Sequence, residues 1–415
     1  MTTQVFKALF VSLFILRIVV KLCLDIINLL HLKKNAGKVP ALLKDLVDSG
    51  SLFKTDSYHT AKMIFRIIST LFNSILVALF LFTPAYRYYT NWVAQWPVPY
   101  MLKGIGFFFF LELTSWVIQL PFDHYFHFHL EALYGFNKYQ FKGWLADAVK
   151  TLLISVITTT LILTVVLGIW DNQSNFNWRD VFWGWSLAFV FIITLVYLVP
   201  ILLIPLFYNL QPLADGKLQS KIKDLVEKAG FKVRGVFMAD ESKKSAHANA
   251  SISGFGKSKT IILFDTLMDN YEDGEILAVL AHEIGHGKLG HILKLLLIII
   301  VQAFIFIWFA SYLLSSNLPY HFAKIPNTLG LLITYYFFFE LLGYFINPLL
   351  SLISRRFEYQ ADAFSKELVG SGTPLIKTFE KFITRELENI NPHPLFESFY
   401  YSHPTLLKRI KALKN

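Results

Sequence analysis

The chain has 415 residues, of which 54% are hydrophobic and only 16% charged, with 40 Phe and 9 Trp and a mean hydropathy of +0.48. That composition excludes an ordinary soluble domain and points to a membrane protein. The net charge of +10 does not mark a nucleic-acid partner, because the basic residues are spread by membrane side and not gathered in one aromatic-interleaved patch. A single cysteine, Cys23, excludes an intrachain disulfide and a cysteine-based zinc site.

Seven stretches are long enough to cross a hydrocarbon core, which takes about 20 helical residues: 5–32, 63–83, 101–120, 151–170, 181–207, 292–314 and 328–350. The first is not read as a signal peptide, since it carries Arg17, Lys21 and Asp25 and no small-x-small cleavage site follows it. With seven spans, the loops after the first, third, fifth and seventh share one side of the membrane. A soluble insert, 208–291, and the tail, 351–415, are therefore free to build one site. Those four segments hold 30 of the 39 Lys and Arg, so the positive-inside rule puts their side in the cytosol.

Some spans hold charges that lipid does not tolerate. Arg17, Lys21 and Asp25 are four apart and share one face, while Glu112 interrupts FFFFLELTSW and Glu340 interrupts YYFFFELLGY. A charge near the bilayer centre costs at least ~2.5 kcal/mol, so such faces turn to the bundle interior. Mutual pairing, for example of Glu112 or Glu340 with Arg17, and a water-filled interior both satisfy them.

The insert reads as a small α+β unit. Residues 217–230 form an amphipathic helix closed by Gly230, and VRGVFMAD, AHANASISGFG and KTIILFD read as three short strands. A strand beside a metal-binding helix offers an edge to which an extended peptide can add by backbone pairing. Asn249 and Ala250 are the candidates for that edge.

The insert ends in AHEIGHGKLGH, 281–291, with His282, Glu283 and His286 in the order HExxH. The preceding DGEILAVL, with its acidic start and apolar face, puts the motif on a helix. Residues four apart on a helix share a face, so His282 and His286 can hold one metal ion with Glu283 beside it as base. A catalytic zinc takes three protein ligands and keeps one open position. The third ligand is expected from SRRFEYQADAF, 354–364, on the same side. There Glu358 and Asp362 are four apart, so one can ligate while the other hydrogen-bonds a ligand imidazole. Further on, YSHPTLLKRIKAL holds His403 and Arg409, donors of the kind that steady an oxyanion.

With these residues assembled, the chain resembles the type I CAAX prenyl proteases. AHEIGH matches that family's zinc helix, SRRFEYQAD its third-ligand segment, and YSHP with Arg409 its C-terminal signature. AHANASISGFGKSKTIILFDTLM resembles its edge-strand region, YGFNK with Asp147 and Lys150 its third-span loop, and FKTDSYHTAKMIF its segment between spans one and two. The resemblance implies seven transmembrane helices around an intramembrane chamber, closed on the cytosolic side by a small α+β zinc-metalloprotease domain. It implies one zinc per chain on His282, His286 and Glu358, with Glu283 as base. Asp362, His403 and Arg409 would support catalysis, and Asn249 and Ala250 would contact substrate. The implied reaction is removal of the C-terminal aaX tripeptide from prenylated CAAX proteins, with a second cut in an N-terminal segment also open. Prenylated substrates and membrane lipid are the implied partners. The organisation expected is 1–207 for spans one to five, 208–291 for the insert, 292–350 for spans six and seven and 351–415 for the tail. The membrane would be the endoplasmic reticulum in a eukaryote or the inner membrane in a bacterium.

Three other readings stay open at this point. A membrane quality-control zinc protease for misfolded or stalled chains would use the same residues. A histidine-box di-iron lipid oxygenase would recruit His124, His127 and His129 of DHYFHFH together with His282 and His286, but it leaves Glu358 and Asp362 without a task. A lipid-binding or transport bundle would require a degenerate metal site, which the HExxH spacing does not suggest.

Overall fold

The computed structural model describes residues 3–170, 178–198, 202–254, 259–315 and 328–415. Long helices dominate: α1 Thr3–Asn35, α2 Ser49–Phe82, α3 Pro84–Ala94, α4 Tyr100–Tyr125, α5 Phe141–Trp170 and α6 Trp178–Leu198 precede the insert. Their ends follow local chemistry. Asp48 caps α2 by accepting from the Ser51 amide at 2.9 Å. Thr83 caps α3 through the Ala85 amide at 3.3 Å, with Pro84 at the first helical position, where its missing N–H costs nothing. α4 continues as a π-helical turn, Phe126–Glu131.

Five helices are long and apolar enough to cross a membrane: Ser49–Phe82, Tyr100–Glu131, Phe141–Val165, His291–Tyr312 and Tyr336–Val369. Five of the expected seven spans thus meet length and composition among the described residues. α1 carries Lys7, Arg17, Lys21 and Asp25, and the apolar part of α6, Val181–Leu195, is shorter. The expected span 181–207 includes residues 199–201, outside the described residues. The helices also run past the expected spans. α2 begins well before the expected 63, and the span expected at 328–350 belongs to one helix, α12, Thr328–Val369.

Packing follows an inverted polarity. Ile75, Leu79, Ile157, Leu297 and Val301 are exposed on the outer faces, whereas Asp25 is fully buried. Asp25 pairs with Arg66 of α2 at 3.0 Å, and Arg17 pairs with Glu340 of α12 at 2.5 Å. Apolar-out and charge-in is the arrangement a lipid solvent selects. The expected Arg17–Glu340 pairing is thereby met, while the buried carboxyl oxygens of Glu112 accept no hydrogen bond among the described residues.

The insert holds α7 Ile204–Phe207, α8 Lys217–Lys228, α9 Asp265–Asn270, α10 Asp273–Lys288 and a four-stranded sheet. Its strands are β1 Leu210–Pro212, β2 Gly235–Ala239, β3 Ala250–Ser253 and β4 Thr260–Phe264, in the order β1-β2-β4-β3. β1 and β3 run antiparallel to their neighbours, β2 and β4 run parallel, and Ala250 stands opposite Leu263. Three strands were expected; β1 was not, being three residues that end in Pro212. Ile222 and Leu225 of α8, Ile261 and Leu263 of β4, and Ile276, Leu280 and Ile284 of α10 form the core between sheet and helices.

After α11, His291–Ser315, and α12 come α13 Thr373–Thr384, α14 Pro394–Tyr400 and α15 Leu406–Lys414. Leu375, Phe379 and Ile383 of α13 pack with Ile410 and Leu413 of α15 and Ala278 of α10. This second core pins the tail against α10.

Candidate active site

α10 starts in a capping box, where Glu272 and Glu275 satisfy each other's backbone amides. It ends at Lys288, and Gly290, at φ +67°, makes the turn into α11. Between those ends Gly285 faces α12 so closely that a Cβ would stand 3.2 Å from the Ala361 Cα and 3.1 Å from a Phe364 ring carbon. That approach sets His282 and His286 of α10 against Glu358 and Asp362 of α12, each pair one helical turn apart.

The ligand atoms of His282, His286 and Glu358 lie within 4.8 Å of one another. The two Nε2 atoms are 3.1 Å apart, and Glu358 places Oε2 3.5 Å from His282 Nε2 and Oε1 3.3 Å from His286 Nε2. Two nitrogens on one tetrahedral zinc, at 2.0–2.1 Å each, stand roughly 3.3 Å apart. Glu358 Oε2 is also a buried atom that accepts no well-formed hydrogen bond. The donor set therefore fits a metal ion with three protein ligands.

Around the donors lies a shell that orients them. His282 Nδ1 is 2.9 Å from Asp362 Oδ1. Arg409 grips Asp362 with both ends, Nε donating to Oδ2 at 2.8 Å and Nη2 to Oδ1 at 2.6 Å, and its Nη1 lies 3.3 Å from Glu358 Oε2. His286 Nδ1 stands 3.1 Å from His291 Nδ1, and His291 Nε2 stands 2.9 Å from Gln360 Oε1. Burial opposes charge on His282, but the neighbouring carboxylates of Asp362 and Glu358 outweigh it and raise the pKa to about 9. Burial pushes the Glu283 carboxyl up, against the pull of His282 and His286.

Of the expected residues, Asn249, Ala250, His282, Glu283, Glu358, His403 and Arg409 line one cavity of about 550 Å³, while His286 and Asp362 stand behind it in contact with Glu358 and His282. His403 is largely exposed, with Nδ1 2.9 Å from Glu358 Oε2. Arg409 is buried and touches both Asp362, which supports His282, and the ligand carboxylate of Glu358. Asn249 turns its Oδ1 onto the Ala250 amide at 2.8 Å, and β3 is an edge of the sheet, unpaired on its outer side among the described residues.

Sequence reasoning gave no role to His291 and Gln360, although both lie inside the quoted motifs. The histidines of DHYFHFH do not join the donors. His124 packs on Trp144 and Phe128, His129 stacks on Tyr125, and His127 stands 3.5 Å from Asp123. Their ring contacts are aromatic packing, which removes the support for a histidine-box oxygenase.

Two family models match. Residues 212–415 match "Peptidase family M48", and residues 28–209 match "CAAX prenyl protease N-terminal, five membrane helices". CAAX prenyl protease 1 of Saccharomyces cerevisiae is 31% identical over 424 residues, covering 92% of this chain and 89% of the relative. A human CAAX prenyl protease 1 homolog is 29% identical, with 92% and 90% covered. The crystal structure of S. mikatae Ste24p superimposes with a TM-score of 0.90 at 28% identity, covering 99% of each chain.

Proposed function

The chain belongs to peptidase family M48, in its membrane-embedded CAAX prenyl protease branch, and from that premise we propose that it is a zinc metalloendopeptidase cleaving the C-terminal aaX tripeptide of prenylated CAAX proteins. The observation that carries this reading is the donor set His282, His286 and Glu358 beside Glu283 in a cavity that β3 also borders. Zinc, one per chain, would be held by those three residues and, when bound, supplies a Lewis acid and a water of pKa about 7.

The chain's own residues account for the rest. β3 offers its free edge near Ala250 to an extended peptide, so binding reads the backbone. Glu283, whose carboxyl burial pushes up, takes a proton from the attacking water and delivers it to the leaving amine. His403 and Arg409 border the same cavity as donors towards developing negative charge. Asp362 fixes the tautomer and aim of His282.

The chamber has physical support. Tyr58 and Lys62 line the metal cavity, Phe65 and Ser69 a second cavity of about 680 Å³, and Ser69, Asn73 and Val77 a third of about 210 Å³. All lie on one face of α2, so the hollow follows that helix for about 28 Å at 1.5 Å per residue. Phe65, Trp116, Phe122 and Trp144 in the second cavity suit an apolar chain. Seven spans, with α1 and α6 added to the five, would enclose it. On this reading the chain divides as 1–207, 208–291, 292–350 and 351–415. The metal side faces the cytosol, on the endoplasmic reticulum in a eukaryote or the inner membrane in a bacterium.

A free edge reads any extended chain, and this favours quality-control proteolysis as the second reading. The test of the chemistry is Glu283→Gln, assayed on a farnesylated CAAX peptide with metal content measured in parallel. The variant should retain its metal and lose roughly a hundred- to ten-thousand-fold in rate. A variant of near wild-type rate would refute the assignment.

A further inference from the structure

Away from the metal centre, four segments of the chain converge on the ring of His247. Its Nε2 lies 3.3 Å from Glu131 Oε2 and its Nδ1 2.8 Å from Glu386 Oε2. A ring that faces a carboxylate with each nitrogen can donate to both only when both nitrogens carry a proton. The geometry thus selects the imidazolium. Burial opposes that charge, but the hydrogen bonds to Glu131 and Glu386 outweigh it and raise the pKa to about 9.

Each carboxylate is itself anchored. Glu131, buried at the end of the π-helical turn, accepts from the Tyr58 hydroxyl at 2.5 Å, and Lys62 donates to that hydroxyl at 3.0 Å. Glu386 accepts from the Tyr271 hydroxyl at 3.4 Å. The next residue, Leu387, has φ +52°, a conformation a branched side chain rarely adopts. It is kept there by burial against Tyr58, Leu130 and Phe136, with His59 Nε2 2.7 Å from its carbonyl oxygen. The His247 ring stacks on Phe136 at 4.1 Å, the Ala246 amide donates to the Phe136 carbonyl at 3.0 Å, and Thr266 donates to the His247 carbonyl at 2.9 Å.

An imidazolium between two carboxylates is often only a structural ion pair. Its place here argues for more. His247 lines the cavity of the metal donors and stands three residues before Ala250, where the free edge begins. We propose that His247 is a positioning residue: clamped between Glu131 and Glu386, it holds residues 245–250 so that β3 presents its edge to the cavity at the angle a peptide needs. This deepens the peptidase reading and rests on it. The carboxylates against the ring are Glu131 of the π-helical turn and Glu386 of the C-terminal segment; behind them stand Tyr58 and Lys62 of α2 and Tyr271 of the insert, and the charges of Glu388 and Glu241 also act on the ring.

The test compares wild type, His247→Gln and Glu386→Gln as full-length protein, on a farnesylated CAAX peptide from pH 6 to pH 10. A group that aligns substrate without touching the reacting atoms moves KM more than kcat, so His247→Gln should raise KM roughly tenfold with kcat within about threefold, and metal content should be unchanged. The wild-type KM should rise as pH passes about 9, while the Gln variant stays flat. Glu386→Gln removes one arm only; its KM transition should move to lower pH. Equal pH dependence of KM in wild type and His247→Gln, or loss of kcat at constant KM, would overturn the proposal. Hydrogen exchange at amides 248–253 reads the same positioning without substrate, so a peptide that is not cleaved at all would fault the substrate reading alone. Faster exchange in His247→Gln supports the proposal, and unchanged exchange contradicts it.

Discussion

Gly285→Ala separates two opposing effects by sign. In a helix interior, replacing Gly by Ala stabilises by roughly 0.8–1.0 kcal/mol through backbone entropy. At Gly285 the new Cβ would stand 3.2 Å from the Ala361 Cα and 3.1 Å from Phe364, inside the ~3.5–4.0 Å at which carbon atoms rest. The Phe364 ring can turn, but the Ala361 Cα is backbone inside α12 and moves only with that helix. Overpacking of this kind costs roughly 1–3 kcal/mol, so the contact outweighs the propensity and the variant is less stable by about 1 kcal/mol. The relief is a few tenths of an ångström of separation between α10 and α12, the two helices that carry the donors. Ligand distances tolerate about ±0.2 Å, so metal affinity should fall roughly tenfold. Thermal unfolding in detergent and competition with a zinc chelator read the two effects. A variant more stable than wild type, with unchanged metal affinity, would refute the helix contact as the device that sets the site.

Asp362→Asn takes the carboxylate from both His282 and a buried Arg409. Breaking one partner of such a pair costs roughly 3–5 kcal/mol, and loss of a ligand's support costs roughly 10–100-fold in metal affinity; metal titration and thermal unfolding check both. Chelation should abolish peptide cleavage, and added zinc should restore it. Because His282 and His286 must be neutral to ligate, metal affinity should fall as pH falls, as pH-dependent metal titration will show. Arg17→Met should leave Glu340 unpaired in the bundle at a cost of at least about 2.5 kcal/mol, with poor recovery of folded protein. The double variant Arg17→Met with Glu340→Leu should recover better than either single change, as size-exclusion yield will report.

The chemistry-bearing helix was legible because period and motif coincide: four residues apart is both a turn of helix and a grip on one ion. Glu358 and Asp362 followed from the same spacing together with span parity, which put the insert and tail on one side. Helix α12 was harder to read, since its apolar pattern stops near 350 while the helix runs on to Val369; hydropathy marks the bilayer and not the helix end. β1 is too short to show a period, and the π-helical turn at Phe126–Glu131 has no sequence signature. The least legible feature was the His247 clamp, because Glu131, His247 and Glu386 are more than a hundred residues apart and meet only through tertiary packing. His291 and Gln360 stood in plain view within the motifs, but pairing them requires knowing that α11 starts beside α12.

The central claim is that this metal centre cleaves prenylated CAAX substrates, and it is tested most directly on a farnesylated CAAX peptide beside the same peptide without its farnesyl group, each with and without a zinc chelator. The account predicts chelator-sensitive release of the aaX tripeptide that depends strongly on the farnesyl group. Equal cleavage of both peptides would contradict prenyl processing and leave a peptidase of broader reach.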